Sequence, residues 1–221
     1  VDIGCGDKPY EAIFAPRVTR YVGVEFADSF LESDSAAKSR ADIIYSGGVL
    51  PFVDSEFDTV LCNQVVEHVP SPEPFFSELV RVLRPGGRLI LTVPFSHREH
   101  AQPFDFHRFT RFALARLAER NALTIEVLRP RGGFWSVIGQ KLASHLALRY
   151  ARLGADVQKL GGLGHERPLE ARPRYWTLPA VAPAIFGIAA VARVLDRFDR
   201  VDSDTLGYLL IATKRDSRAH E

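Results

Sequence analysis

The 221-residue sequence predicts an α/β fold built on a doubly wound, largely parallel sheet. Three observations carry that prediction. Short β-branched and apolar runs alternate with helical segments along most of the chain. The first run ends directly on Gly4-Cys5-Gly6. An acidic residue, Glu25, closes the second run, 21 residues beyond Gly4.

The elements follow in order. Val1–Ile3 is apolar and strand-like, and Gly4-Cys5-Gly6 breaks it. A short helix is expected from about Pro9 to Phe14, with Pro near its first turn. Tyr21–Phe26 is the second strand, and Ala41–Tyr45 is a weaker third. Phe57–Cys62 is rich in strand formers. Ser71-Pro72 opens a helix whose apolar face is Phe75, Phe76, Leu79, Val82 and Leu83. Arg84-Pro85-Gly86-Gly87 is expected to stop that helix and turn the chain into a buried strand, Arg88–Val93. Thr110 can cap a helix running to about Arg120, with Asn121 at its end. Leu123–Leu128 and Leu206–Thr213 are the last strands.

Residues 134–203 interrupt the alternation and are expected to form a helical insertion, or lid, within a single domain spanning 1–221. The insertion holds an amphipathic helix with Leu142, Leu146, Tyr150 and Leu153 on one side. A Gly-rich loop follows at Gly161, Gly162 and Gly164, then an apolar run from Trp176 to Ala192. That run is broken by Pro179 and Pro183 and is short for a membrane span. Its two readings are a packed lid and a peripheral membrane contact, the second sensible for a lipid-linked acceptor.

A net charge of +1 gives no global attraction to nucleic acid, and no basic stripe with interleaved aromatics is present. A nucleic-acid partner is therefore not expected. Cys5 and Cys62 lie in unlike contexts, which fits a reducing, cytoplasmic setting better than a disulfide scaffold. The chain opens directly on a motif and holds no Met. It reads as a fragment lacking an amino-terminal helix and half a strand.

Gly-x-Gly after a strand lets the backbone approach a ligand closely, and a helix amino terminus behind it would add donors. A carboxylate at Glu25 can accept both hydroxyls of a ribose. The pair indicates an adenosine-type cofactor. Pro9 stands where a dinucleotide fingerprint needs its third glycine, which counts against a nicotinamide oxidoreductase.

Four ordered segments then become specific: VDIGCG at 1–6, YVGVEF at 21–26, LPFVDSEFDTVLCNQVVEHV at 50–69 and LVRVLRPGGRLILTVPF at 79–95. In order and spacing they resemble the type 11 family of class I S-adenosylmethionine (SAM)-dependent methyltransferases. LGYLLIATK at 206–214 resembles that family's antiparallel closing strand. The resemblance implies a Rossmann-like sheet, mostly parallel with an antiparallel last strand and helices on both faces. It also implies SAM as cofactor. It assigns Asp2, Gly4 and Gly6 to the methionine side of the pocket. Glu25 falls to the ribose, Phe26 to the adenine, and Ser46 to Leu50 to the adenine border. Asn63 and Gln64 fall near the amino-acid end of the cofactor, with Glu67-His68 supporting their loop. Many relatives carry Asp where Ser46 stands, so adenine binding here relies on a hydroxyl or on backbone groups. Asp42 and Asp54 read as a strand-edge and a turn residue.

The stretch PFSHREHAQPFDFHRFT, 94–110, is too long and too decorated for a plain connector. It leaves the carboxyl end of a strand, where ligands bind in such sheets. His100, Pro103, Asp105, Arg108 and Thr110 match a pattern resembling a type 11 subgroup found beside sugar-polymer genes. Methyl transfer holds an acceptor in line with the methyl group, and the acceptor often loses a proton. His100, Asp105 and His107 are the candidates to take it. The other reading is an Asp105–Arg108 ion pair shaping the loop, with His100 as a cap. His97-x-x-His100 is not a zinc pattern and no Cys lies nearby, so no metal is expected.

The sequence has no Asn-Pro-Pro-Tyr or Asp-Pro-Pro-Tyr after the fourth strand; Asn63-Gln64-Val65-Val66 stands there. The expected function is methyl transfer from SAM to a small-molecule or glycan-type acceptor, at oxygen. The alternative is a non-catalytic SAM-binding module or partner subunit.

Overall fold

The computed structural model describes residues 1–27, 40–101, 103–151, 174–199 and 201–216. The chain divides into two compact units. The first comprises residues 1–93, 107–129 and 208–221, and the second comprises 94–106 and 130–207. The insertion expected at 134–203 makes up most of the second unit, which also takes in the loop 94–106.

The first unit is organised by a seven-stranded sheet in the order β3-β2-β1-β4-β5-β7-β6. The strands are β1 (Asp2–Ile3), β2 (Gly23–Phe26), β3 (Ile43–Tyr45), β4 (Phe57–Asn63), β5 (Leu83–Pro94), β6 (Leu123–Arg131) and β7 (Gly207–Lys214). β1 pairs in parallel with β2 on one side and β4 on the other. β2–β3 and β4–β5 are also parallel, and the sheet contains one antiparallel pair. The strand order reverses direction between β1 and β4, the switch point where open α/β sheets bind ligands. Ile3, Val24, Val60, Cys62, Leu89, Leu91 and Leu210 are fully buried, so the central strands are apolar on both faces.

The expected strands are all present, with three instructive differences. First, Arg84–Gly87 does not separate helix from strand. Phe57 pairs with Leu83 and Thr59 with Arg88, so β5 carries an outward excursion inside a continuous strand. Gly86 takes φ +74°, and a Cβ on Gly87 would lie 2.9 Å from the Arg84 carbonyl oxygen. Second, β6 runs past Leu128 through Pro130 to Arg131. It is the edge strand, where a residue without an N–H breaks no ladder. Third, the helix expected from Pro9 is a single turn, α1 (Glu11–Phe14). The glycine turn therefore gains no donors from a long helix behind it.

α2 (Pro72–Arg81) starts at Ser71-Pro72 as the sequence predicts, although Ser71 makes no side-chain cap. It buries Phe75, Phe76, Leu79 and Val80. Its carboxyl end meets the ammonium of Lys214 from β7, which donates to Val80 O at 2.8 Å and, at the start of β5, to Leu83 O at 2.6 Å. α3 (Arg111–Arg120) is capped by Thr110, whose hydroxyl accepts from Ala113 N at 3.2 Å. Asn121 closes it by donating from its amide to Leu117 O at 2.8 Å.

In the second unit, α4 (Phe134–Leu146) continues as a wide turn over Ala147–Ala151, and α5 spans Leu178–Leu195. Asp196, just after α5, caps the start of α4. Its carboxylate accepts from Gly133 N at 3.0 Å, Trp135 N at 3.0 Å and the Ser136 hydroxyl. A Cβ on Gly139 would lie 2.7 Å from that of Ala192, so the two helices approach closely at a glycine. Leu153 and the glycines at 161, 162 and 164 lie outside the described residues.

Candidate active site

The cofactor-side residues gather at the carboxyl ends of β1, β2 and β4. Asp2 sits in the middle of the sheet, paired with Gly23 and Leu61. It is buried and accepts a hydrogen bond from the Tyr21 hydroxyl. Burial pushes its carboxyl up to about 6, against the lowering effect of the Tyr21 hydrogen bond.

Gly4 and Gly6 both take positive φ, +71° and +53°, but they serve different ends. A Cβ on Gly4 would lie 2.3 Å from Val65 Cγ2. Gly4 therefore makes room for the loop after β4. Among the described residues nothing lies within 4 Å of a Cβ built on Gly6, so the space above Gly6 is open to them. That is a cradle a side chain would fill, and it fits a ligand seated against bare backbone.

Glu25, at the end of β2, reaches across this turn. Its Oε2 accepts from Gly6 N at 2.7 Å and its Oε1 from Phe26 N at 3.0 Å. Phe26 meets Tyr45 edge-on with ring centroids 5.5 Å apart. Gly47 lies against the Phe26 ring: a Cβ there would be 2.8 Å from Cε2. Ser46 is exposed at the end of β3, and none of the described residues lies within 4 Å of a Cβ built on Gly48.

Leu50 anchors the loop that follows β3. Its side chain is fully buried, its N–H donates to Glu78 Oε2 at 2.8 Å, and its carbonyl accepts from Arg81 at 3.0 Å. Arg81 also bonds Glu78, Asp54 and the Phe52 carbonyl. Asp54, expected as a turn residue, thus belongs to the network that clamps the 50–54 loop onto α2.

Asn63 and Gln64 end β4, and Gln64 takes φ +55°. Thr92 of β5 holds both. Its hydroxyl donates to Asn63 Oδ1 at 3.0 Å and accepts from Gln64 Nε2 at 3.1 Å. Its carbonyl accepts from Gln64 N at 2.9 Å. Thr92 was not singled out by sequence. The available signal is a hydroxyl inside the apolar run Leu89–Val93, at the register position facing Asn63.

Lys8 is the second residue the sequence reading missed. It is buried at φ +57°, and its ammonium donates to Asp42 Oδ2 at 2.6 Å. Asp42 is therefore an ion-pair partner as well as a strand-edge residue. Cys5 and Cys62 are free and buried. Burial pushes the Cys5 thiol up to about 12 and the Cys62 thiol well above its ordinary value. Neither is a thiolate nucleophile at neutral pH.

The three acceptor-side candidates separate. His107 belongs to the first unit, where its backbone N–H donates to Glu67 O at 3.2 Å. Its Nε2 lies 3.3 Å from Pro70 O, and Arg108 donates to its carbonyl at 2.8 Å. Glu67 is fully buried, consistent with a supporting role in this loop. His100 and Asp105 belong to the second unit and contact each other. Asp105 Oδ2 accepts from His100 N at 2.9 Å and lies 3.3 Å from His100 Nδ1. Nδ1 also lies 3.3 Å from Arg98 O. The His97 ring meets that of His100 edge-on at 4.9 Å.

Residues 1–91 match the methyltransferase domain family model Methyltransf_11. An uncharacterized methyltransferase of Mycobacterium sp. (strain JLS) is 39% identical over 93 residues, covering 42% of this chain and 37% of that protein. One from Mycolicibacterium paratuberculosis is 36% identical over 132 residues, covering 55% of this chain and 49% of that protein. The chain thus spans less than half the length of these curated relatives. Among solved structures, an S-adenosylmethionine-dependent methyltransferase from Mesorhizobium loti covers 96% of this chain and 89% of its own, at 15% identity and a TM-score of 0.51. A candidate sarcosine dimethylglycine methyltransferase from Galdieria sulphuraria covers 97% of this chain and 77% of its own, at 15% identity and a TM-score of 0.54. These two share the fold. The similarity to a methyltransferase domain thus covers residues 1–91, which hold the glycine turn, Glu25, Asn63 and Gln64.

Proposed function

We propose that the chain moves a methyl group from SAM to a hydroxyl of a small-molecule or glycan-type acceptor. The observation that carries this reading is the meeting of Glu25 with the open Gly6 turn at the switch point of the sheet. Glu25 would hold the ribose hydroxyls, with Phe26, Ser46 and the Leu50 loop around the adenine. Asp2 and the Gly4–Gly6 turn would face the methionine side, and Asn63 and Gln64 the amino-acid end. SAM supplies an electrophilic methyl group on a sulfonium.

The chain's own part is to orient the acceptor and accept its proton. His100 is suited to this. With Nδ1 protonated toward Asp105 and the Arg98 carbonyl, Nε2 is the basic nitrogen of the ring. Asp105 steadies that tautomer and the imidazolium that forms. His107, turned onto Pro70 through Nε2, has Nδ1 as its basic atom and is the alternative base. A hydroxyl acceptor has most to gain from such a base, which favours oxygen as the methylated atom. The 94–110 pattern resembling a subgroup found beside sugar-polymer genes supports a glycan-type acceptor. The two buried, unpaired thiols support a reducing, cytoplasmic setting.

The test is transfer of labelled methyl from SAM to a panel of hydroxylated sugars and amines. Hydroxyl acceptors are expected to be labelled. His100→Ala or Asp105→Asn is expected to cut turnover about 100-fold with SAM affinity unchanged. Labelling of amines alone overturns the oxygen assignment. Unchanged turnover in both variants overturns the base assignment. SAM binding without turnover on any acceptor favours a non-catalytic binding module.

A further inference from the structure

The paired helices α4 and α5 in the second unit form a surface that the methyl-transfer reading does not use. From Trp176 to Val191, every exposed residue is apolar. Trp176, Phe186 and Val191 are 78%, 74% and 59% exposed, and Ala192 is the one buried residue of α5. The segment Tyr175–Leu195 is long and apolar enough by composition to cross a membrane, yet almost none of it is buried. So large an exposed apolar face marks an interaction surface.

Charge says what covers it. Across 134–151 and 174–195 the charged residues are Lys141, Arg149, Arg174 and Arg193, with no Asp or Glu. The first acid after α5, Asp196, is engaged as the cap of α4. Lys141 and His145 line a cleft on the same unit with His97, Arg98, Gln140 and Ser144, a basic setting for a phosphate headgroup. A second copy of this chain would bring the same positive charges face to face, which disfavours self-association. A protein partner would need a matching acidic, apolar face. An anionic lipid surface supplies both complements at once: acyl chains for the apolar residues and phosphate for the cations.

The hairpin is also built to stay in shape. Asp196 ties the end of α5 to the start of α4. The Thr177 hydroxyl, which donates to Arg174 O at 2.7 Å, also lies 3.3 Å from Tyr150 O and brings the other ends together. Gly139 lets the helices close on Ala192 between these ties. Trp176 and Tyr175 stand at one end of α5 and Phe198 at the other, all strongly exposed, beside Arg174, Arg193 and Arg197. Aromatic and arginine residues at the ends of an apolar segment suit the headgroup boundary. Pro183 and Gly187 within α5, with cations on α4, favour a helix lying in the interface over one crossing it.

We propose that the α4–α5 hairpin docks the protein onto an anionic membrane surface, lying in the plane of the headgroups. This does not depend on the acceptor or on turnover.

The experiment is co-sedimentation of the full chain with phosphatidylglycerol–phosphatidylcholine vesicles and with phosphatidylcholine alone. Binding to the anionic vesicles is expected, falling at least about tenfold on the neutral ones and in high salt. The double variant Phe186→Glu/Val191→Glu is expected to lose binding by a similar factor while keeping the wild-type circular dichroism spectrum. Phe112→Glu, an exposed aromatic on α3, is expected to bind as wild type. Absence of vesicle binding, equal binding by the double variant, or resistance to alkaline carbonate extraction overturns the proposal. So does a dimer in sedimentation velocity that the double variant dissolves, since the face would then belong to a second copy.

Discussion

The Lys8 ammonium donates to Asp42 Oδ2 at 2.6 Å, and the Gly23 N–H donates to the same oxygen at 2.7 Å. A buried cation in the glycine turn is thereby anchored to the start of β3. Gly23 is glycine for the same reason: a Cβ there would lie 2.4 Å from Lys8 Cε and 2.7 Å from Cys5 Sγ. Burial pushes the Asp42 carboxyl up, but the Lys8 and Gly23 hydrogen bonds and the Lys8 charge together hold it below its ordinary value. Asp42→Ala strands the Lys8 charge. It should cost about 2 kcal/mol, less than a fully buried pair because Asp42 is half exposed. Lys8→Met added to Asp42→Ala should recover part of that loss. Urea denaturation of the two variants measures both effects.

Asp2 gives a pH signature of opposite sign to an ordinary paired carboxylate. Its folded value, about 6, lies above the ordinary 3.8, chiefly from burial. Between those pH values the folded chain binds more protons than the unfolded chain, so stability from this group falls as pH rises from about 4 to 6. Asp2→Asn should therefore stabilise the chain at pH 8, by up to about 3 kcal/mol, and change little at pH 4. The same variant should bind SAM more weakly. Urea titrations at the two pH values, with one binding titration, check whether stability and affinity move in opposite directions.

Gly4 and Gly6 should respond differently to the same substitution. Gly4→Ala drives a methyl into Val65 at positive φ and should destabilise by about 2–3 kcal/mol, with partial rescue by Val65→Ala. Gly6→Ala meets none of the described residues and should cost about 1 kcal/mol of stability. Its main effect should be on ligand affinity. Melting temperatures and S-adenosylhomocysteine titrations on the two variants separate the roles.

Thr92 should behave as a positioning residue. Thr92→Val removes the hydroxyl that joins Asn63 and Gln64 and leaves both amides short of a partner. A loss of about 1–2 kcal/mol in cofactor binding is expected, roughly ten-fold in affinity. Thr92→Ser should restore it, which a packing defect would not allow. Calorimetry on the two variants decides.

Much of this architecture was legible in the sequence because the signals were local. Period and composition locate β4 and α2, and Thr110 marks the start of α3 by a cap that forms. Gly4 and Gly6 marked the turn that ends β1. Pairings made across the fold were hidden. Lys8 finds Asp42 34 residues away, Arg81 reaches Leu50 and Asp54, and Thr92 meets Asn63 across the β4–β5 ladder. The Arg84–Gly87 segment misled because proline and glycine ordinarily end an element, whereas β5 absorbs them as an excursion. Pro130 misled because the sequence does not say that β6 is an edge.

The central claim is that the Gly6–Glu25 turn binds SAM, and calorimetric titration with S-adenosylhomocysteine tests it most directly. The account predicts micromolar binding, weakened at least about tenfold by Glu25→Ala through loss of the ribose contact, and no binding of NADH. Binding of NADH in preference, or an affinity for S-adenosylhomocysteine indifferent to Glu25→Ala in a folded chain, would contradict it.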